Sequence, residues 1–381
     1  MNTETLLSTL TPAGIEPDPA LLQQWLRTSD PVAHQALVQA AFAIKQRYSG
    51  PGVFLRGLME ISNRCQKNCL YCGIRGHNHL TVRYDLLDEE ILALGRKAAQ
   101  LGYASIVLQA GERQDNTFVK RITRLLYALK DIALRADVNG GARKPDGAHG
   151  MGITLSLGEQ SQEVYEEWYA AGAHRYLLRI EASDPELYAK IHPKDALHTY
   201  ERRMKALQSL RRAGYQVGTG VMIGLPFQTE EHLAKDLLFF KEMDIDMCGM
   251  GPYIPHHDTP LAQYAEGIPS ERRRLELSIR MVALLRLLMP DINIAATTAL
   301  QVLSATGREM AIEAGANVVM PNLTDLLHRS NYDLYDGKPG ASVDADLEDT
   351  DFSRYLAKKE IPILRGEWGD SNHFFARNQR D

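Results

Sequence analysis

Between residues 54 and 320 the chain repeats one order: a short β-branched or apolar run, a polar or glycine-bearing turn, then an amphipathic helical stretch. The runs span residues 54–61, 104–109, 151–157, 175–180, 216–223, 247–251, 292–296 and 317–320. Stretches such as "DEEILALGRKAAQLGY", "YERRMKALQSLRRAGY" and "EEHLAKDLLFFKEMD" lie between them. Such alternation implies parallel strands joined by crossover helices. Eight strands predict an α/β fold, a closed (β/α)8 TIM-type barrel over residues 51–322. Residues 1–50 read as an N-terminal helical extension ending at the breaker "SGPG". Residues 323–381, acidic and apolar-poor through "ASVDADLEDTDFSRY", read as a C-terminal appendage over the barrel. "RADVNGGARKPDGAHG", residues 135–150, interrupts the third unit and reads as a mobile surface insertion.

Composition narrows the function. With 43 Lys plus Arg against 48 Asp plus Glu and no block of like charge, no nucleic-acid partner is expected. No run approaches the roughly 18 apolar residues that a membrane span requires, and the first residues lack a basic segment followed by an apolar one. A soluble, cytoplasmic protein is expected. Three of the four cysteines fall within eight positions, which favours metal chemistry over a disulfide framework.

Those three, Cys65, Cys69 and Cys72, form C-x3-C-x2-C directly after the first strand, at the end of a parallel barrel where such folds place their chemistry. Thiolates suit zinc or an iron–sulfur cluster. A structural zinc site wants a fourth protein ligand, which His77 or His79 could supply. A cubane held by three cysteines instead leaves one iron open to a small molecule. Tyr71, just before the last cysteine, packs the loop or lays an apolar face near a nucleobase. "GPYIPHHDTPL" reads as a Pro-rich loop, since adjacent histidines do not readily converge on one ion.

C-x3-C-x-aromatic-C after strand one of such a barrel resembles the radical S-adenosylmethionine (SAM) superfamily. The resemblance implies one 4Fe-4S cluster on Cys65, Cys69 and Cys72, with SAM chelating the open iron and cleaved to methionine and a 5′-deoxyadenosyl radical. "LQAGE" resembles the family's Gly-Gly-Glu segment, so carbonyls of Gln109, Ala110 and Gly111 would accept from the SAM ammonium. Glu181 would accept from the ribose hydroxyls and Arg203 would meet the SAM carboxylate. Tyr71, Ser156 and Met222 complete the implied cofactor-binding set.

The order of "LQAGE", "LSLGE", "YLLRIE", "MIGLPFQT", "GPYIPHHDTPL", "ATTA" and "EAGANVVMPN" is similar to the FeFe-hydrogenase maturase HydE family. That resemblance implies action on the sulfur of a small cysteine-bearing iron complex during assembly of the di-iron subcluster. An electron donor and other hydrogenase maturation proteins are the implied partners. Arg179, Thr297, Thr298, Tyr332 and Tyr335 would line the substrate end of the cavity, Arg179 as carboxylate partner. Ile180 stands where relatives often carry His. No cysteine follows Cys248, so a second cluster is not expected. A methylornithine-synthase-like mutase shares these features. A non-enzymatic iron–sulfur or zinc protein would leave the polar strand ends without a use.

Overall fold

The long N-terminal helix Pro31–Ser49 begins at an Asp30 side-chain cap with proline in its first turn and stops at Gly50, whose φ of 85° favours glycine. Pro51 then releases the chain into β1 (Val53–Leu55) and β2 (Gly57–Ser62), one stretch running through Arg56. The computed structural model describes residues 18–132, 150–338, 347–348 and 350–379. Of the insertion expected at 135–150, all but Gly150 lies outside the described residues.

The wall continues with β3 (Ser105–Ala110), β4 (Gly152–Ser156), β5 (Ala173–Leu177), β6 (Gln216–Thr219), β7 (Met222–Ile223), β8 (Met247–Cys248), β9 (Gly251–Pro252), β10 (Asn293–Ile294), β11 (Val318–Val319) and β12 (Ile363–Leu364). Seven strands form one parallel sheet in the order β10-β8-β6-β5-β4-β3-β2. The strand containing β11 closes it. Asn317 N donates to Ile294 O at 2.9 Å on one side, and Phe54 N and Leu58 N donate to Asn317 O and Pro321 O at 2.9 and 2.8 Å on the other. The α/β barrel expected from the eight apolar runs is therefore what the chain forms. The runs at 216–223 and 247–251 each divide in two, giving the β7–β9 pair beyond a break. At that break a Cβ on Gly220 would overlap Gly249 O, so the glycine is what lets these two neighbouring strands approach.

Side chains alternate sides along each strand, so every second residue faces the lumen. Leu58, Gln109, Ser156, Leu177 and Arg179 are only half-buried although the residues beside them are buried, which marks an open lumen at the C-terminal ends of the strands.

The opposite end is closed by the tail. β12 pairs in parallel with β1, Val53 opposite Ile363. Beyond it, Trp368 O accepts from Arg175 Nη1 at 3.0 Å, and Gly369 O accepts from Arg56 Nη2 at 2.8 Å and Asn293 Nδ2 at 2.9 Å. The appendage is thus two things: residues 323–338 lie at the C-terminal mouth, whereas residues 363–371 form a floor. Buried Arg56 and Arg175 explain the floor: strand side chains meet part of their need, Thr154 and Ser105 accepting from Arg175, and the tail's carbonyls supply the remaining acceptors that inward-facing cations require.

Candidate active site

The cysteine loop leaves β2 at Ser62 and is fixed by its neighbours' backbones. Asn63 Nδ2 donates to Val82 O and Asn331 O at 2.8 and 2.7 Å. Arg83 holds the loop's return by donating to four carbonyls, those of Asn63, Ile74, Arg75 and Asn78, at 2.5 to 3.0 Å. A Cβ on Gly111 would overlap Arg64 O and come within 2.7 Å of Cys65 Cβ, so only glycine lets the β3 end pass against this loop.

Cys65, Cys69 and Cys72 are free and half-buried together. Burial, and then the charge of Cys65, pushes the Cys69 thiol up to about 12; burial and the other two sulfurs push Cys72 up as well. Three thiolates in one dry loop are unfavourable unless a cation neutralises them, which is the condition a ligand set for an iron–sulfur cluster meets. Neither histidine proposed for a zinc site completes the set. His77 turns its Nδ1 to Asn68 Nδ2 at 2.9 Å and stacks on His79, both on the exposed face.

Beneath the loop lies an acid–base core that the sequence reading did not assemble. Glu159 accepts from Lys67 Nζ at 2.8 Å, Arg202 Nε at 2.7 Å and Arg203 Nε at 2.7 Å. Burial opposes its charge, but Arg203 and Lys67 outweigh burial and hold the carboxyl at about 2. Glu112 stands beside it; burial and then the charge of Glu159 push its carboxyl up, and its backbone N donates to Cys65 Sγ at 3.3 Å. Arg203, which alone would read as a solvated helix position, is buried and also donates to Arg179 O. Thr154 and Glu159 do not cap the following helix; Ser161 does, accepting from Val164 N.

Gln109 and Ser156 are register partners on β3 and β4 and face one layer of the lumen, with Ala110 and Gly111 following at the rim. Arg179 and Glu181 pair bidentately, Nε to Oε1 at 2.8 Å and Nη2 to Oε2 at 2.9 Å. Glu181 holds a left-handed φ of 67°, a strained conformation for a side-chain-bearing residue that often accompanies a functional site. Tyr71 and Met222 pack on a small apolar cluster with Leu187, Leu225 and Tyr253, forming one greasy wall next to the thiols. The Tyr71 hydroxyl meets His192 Nε2 at 3.3 Å.

At the other side of the mouth Tyr332 is buried and its hydroxyl bonds to Gln109. Tyr335 is half-buried, in the field of Glu60 and Arg179. Thr297 Oγ1 donates to Met250 O at 3.2 Å, and Thr298 is half-buried beside it; neither caps the next helix, whose N-terminal cap is Ala299. Glu60, which sequence reasoning passed over, faces this layer from β2 opposite Gln109. Its Oε1 accepts from Lys338 Nζ at 2.6 Å, and Lys338 also donates to Tyr332 O at 2.6 Å. A charged residue in an apolar strand, two positions from lumen-facing Leu58, was the signal that could have found it.

Among the described residues His256, His257 and Asp336 bring ligand atoms within 4.8 Å of one another. The two rings lie 12° apart and stacked at 4.7 Å, so their lone pairs run parallel instead of converging. A cavity of about 290 Å³ lined by Phe54, Asp291, Asn317 and Phe375 lies under the strand starts, away from the thiols.

Residues 59–240 match the radical SAM superfamily. The [FeFe] hydrogenase maturase subunit HydE of Thermotoga maritima is 42% identical over 318 residues, covering 84% of this chain and 84% of its own. The chain belongs to the HydE family of radical SAM enzymes. A 3-methylornithine synthase of Methanosarcina barkeri is 26% identical, covering 86% of this chain and 84% of its own. The crystal structure of methylornithine synthase shares the fold, with a TM-score of 0.70, 22% identity and coverage of 96% of this chain and 97% of that one. Membership of the HydE family implies a 4Fe-4S cluster and SAM, and the three thiols beside an open lumen fit that requirement. No helix among the described residues is long and apolar enough to cross a membrane.

Proposed function

We propose that this enzyme matures FeFe hydrogenase by cleaving SAM reductively to a 5′-deoxyadenosyl radical that acts on the sulfur of a small cysteine-bearing iron complex. When bound, the cluster supplies the electron and an open iron site for SAM. Cys65, Cys69 and Cys72 are the residues that would hold it. Carbonyls at Gln109, Ala110 and Gly111 would take the SAM ammonium, and the greasy wall of Tyr71 and Met222 the adenine. Glu181 would turn from its present pairing toward the ribose, with Ser156 beside it and Arg203 offered to the carboxylate. Arg179 would orient a substrate carboxylate, while Thr297, Thr298, Tyr332 and Tyr335 shape the substrate end and exclude water.

The observation that carries this reading is the placing of three mutually destabilising thiols at the rim of a lumen ringed by Gln109, Ser156, Arg179 and Glu181. Anaerobic reconstitution should load one 4Fe-4S cluster whose electron paramagnetic resonance spectrum changes when SAM is added. Adding the loaded protein to a lysate that lacks it should restore hydrogenase activation. SAM cleavage without restored activation would point instead to a carbon-skeleton rearrangement of the methylornithine kind.

A further inference from the structure

Asp236 lies mid-way along the helix Glu230–Glu242, and it is 1% exposed. Among the described residues no lysine, arginine or histidine pairs with it. Its Oδ1 accepts both donors of one residue, Ser183 N at 2.9 Å and Ser183 Oγ at 2.6 Å, and its Oδ2 has no partner. Burial pushes the carboxyl up to about 7 although both Ser183 bonds pull it down, and Asp184 adds a charge of the same sign. An apolar side chain facing an alanine would make the same helix-to-loop contact without a buried acid. Keeping the acid points to a use other than stability.

That use lies two residues upstream of Ser183. Glu181 holds its φ of 67° against the ordinary preference of a side-chain-bearing residue, so the peptides on either side of it have to be fixed. On the strand side Glu181 N donates to Gly220 O at 2.9 Å, and Glu181 O accepts from Met222 N at 3.1 Å. On the other side Ala182 is fully buried in the apolar cluster against which Tyr71 and Met222 pack, and Ser183 is pinned to Asp236. Asp184 then caps its own helix, Pro185–Ile191, and meets the half-exposed Lys235 at 3.5 Å. The buried tie from this turn to another element is therefore the one at Ser183. The helix that carries Asp236 starts just after the turn that follows Met222, so one element steadies both Glu181 and the greasy wall.

We propose that Asp236 is a positioning residue for the cofactor: through Ser183 it holds Glu181 in the left-handed conformation that sets its carboxylate for the ribose. Asp236 makes no contact of its own with SAM and acts through Glu181. The inference rests on the reading above that Glu181 takes the ribose hydroxyls.

The test measures SAM affinity of cluster-loaded, oxidised protein by calorimetry, and amide exchange of residues 180–184 in the same protein without SAM. Ser183→Ala removes the hydroxyl bond and leaves the amide one, and should weaken SAM about threefold. Asp236→Asn keeps an acceptor oxygen but not the charge, and should weaken it about tenfold. Exchange across 180–184 should accelerate in both variants. Glu181→Gln should itself weaken SAM, and adding Asp236→Asn to it should weaken SAM no further, because the tie acts through that one carboxylate. Additive losses would overturn the proposal, since they would mean that Asp236 supports the fold or the greasy wall rather than Glu181. Unchanged exchange at 180–184 in both variants would overturn it as well. Full SAM affinity in Asp236→Asn beside a weakened Glu181→Gln would remove this inference and leave the proposed function standing. A Glu181→Gln variant that binds SAM as the wild type does would remove the ribose reading and the inference together.

Discussion

Glu159 is the residue on which most charge converges: 2% exposed, it takes three cationic donors from two parts of the chain. Its folded carboxyl sits at about 2 against an ordinary 4.5. A depressed folded value means that its contribution to stability is complete above about 4.5 and is lost as pH falls toward 2. Replacing it with Gln strands Lys67 and Arg203 as buried cations. Glu159→Gln should therefore cost about 3–5 kcal/mol at pH 7 and flatten the acid side of the stability profile, measured by urea denaturation between pH 3 and pH 7. The thiols give a second test. Cys69→Ala should abolish iron incorporation at full stoichiometry and SAM cleavage. Cys248→Ala, in the buried barrel wall, should keep both and lose about 1 kcal/mol of stability. Equal loss in the two variants would sink the ligand assignment. The thiols were legible in sequence because soft-metal affinity belongs to the residue itself. Lys67 was not, and Arg203 entered only through the family resemblance, because a cation on a loop or helix reads alike whether it meets water or a barrel mouth.

Single elements were legible where one period governs them. Every apolar run became strand, since β-branched residues at alternate positions serve one wall whatever their partners. The ends shifted where tertiary contact took over. The run at 216–223 breaks at Gly220 because Gly249 presses on it, and the run at 175–180 stops as a ladder after Leu177, near the unusual backbone at Glu181. The four-carbonyl grip of Arg83 had no sequence signal, because its acceptors are main-chain atoms that every residue has. The cysteine loop's dependence on its neighbours can be tested at Gly111. The Cβ of Gly111→Ala would occupy the space of Arg64 O, so the loop must move although β3 need not. Far-ultraviolet circular dichroism should stay unchanged while iron bound per chain falls several-fold; full iron loading would mean that the loop yields without cost.

At the scale of the whole molecule, the open end holds the three thiols and the half-buried lumen residues, and the closed end supplies rigidity. The sequence suggested an appendage over the barrel without saying at which end, and the tail's acceptors lie below, where Arg56 and Arg175 point. The last helix, Asn372–Asn378, secures that floor through His373. Its Nε2 meets Asp244 at 2.6 Å and its Nδ1 meets Asp291 at 3.0 Å, while Arg377 reaches Asp244 and Asp246 at 3.0 Å. Burial disfavours the imidazolium, but the two carboxylates outweigh it and raise His373 from 6.5 to about 9. A raised folded value places the sign the other way from Glu159: the clamp is at full strength below about 6.5 and is lost as pH climbs through 9. The shift caps its worth at about 3 kcal/mol, less once the solvent reaching a partly exposed ring is allowed for. Amide exchange across residues 368–378 should accelerate between pH 6.5 and pH 9.5, beyond the intrinsic rise, while the cysteine loop keeps its protection. His373→Gln should show the fast exchange at every pH. If exchange in the wild-type tail follows the intrinsic rate alone, the floor is held by Arg56, Arg175 and Asp370 without the helix, and His373 is a surface residue with two convenient neighbours.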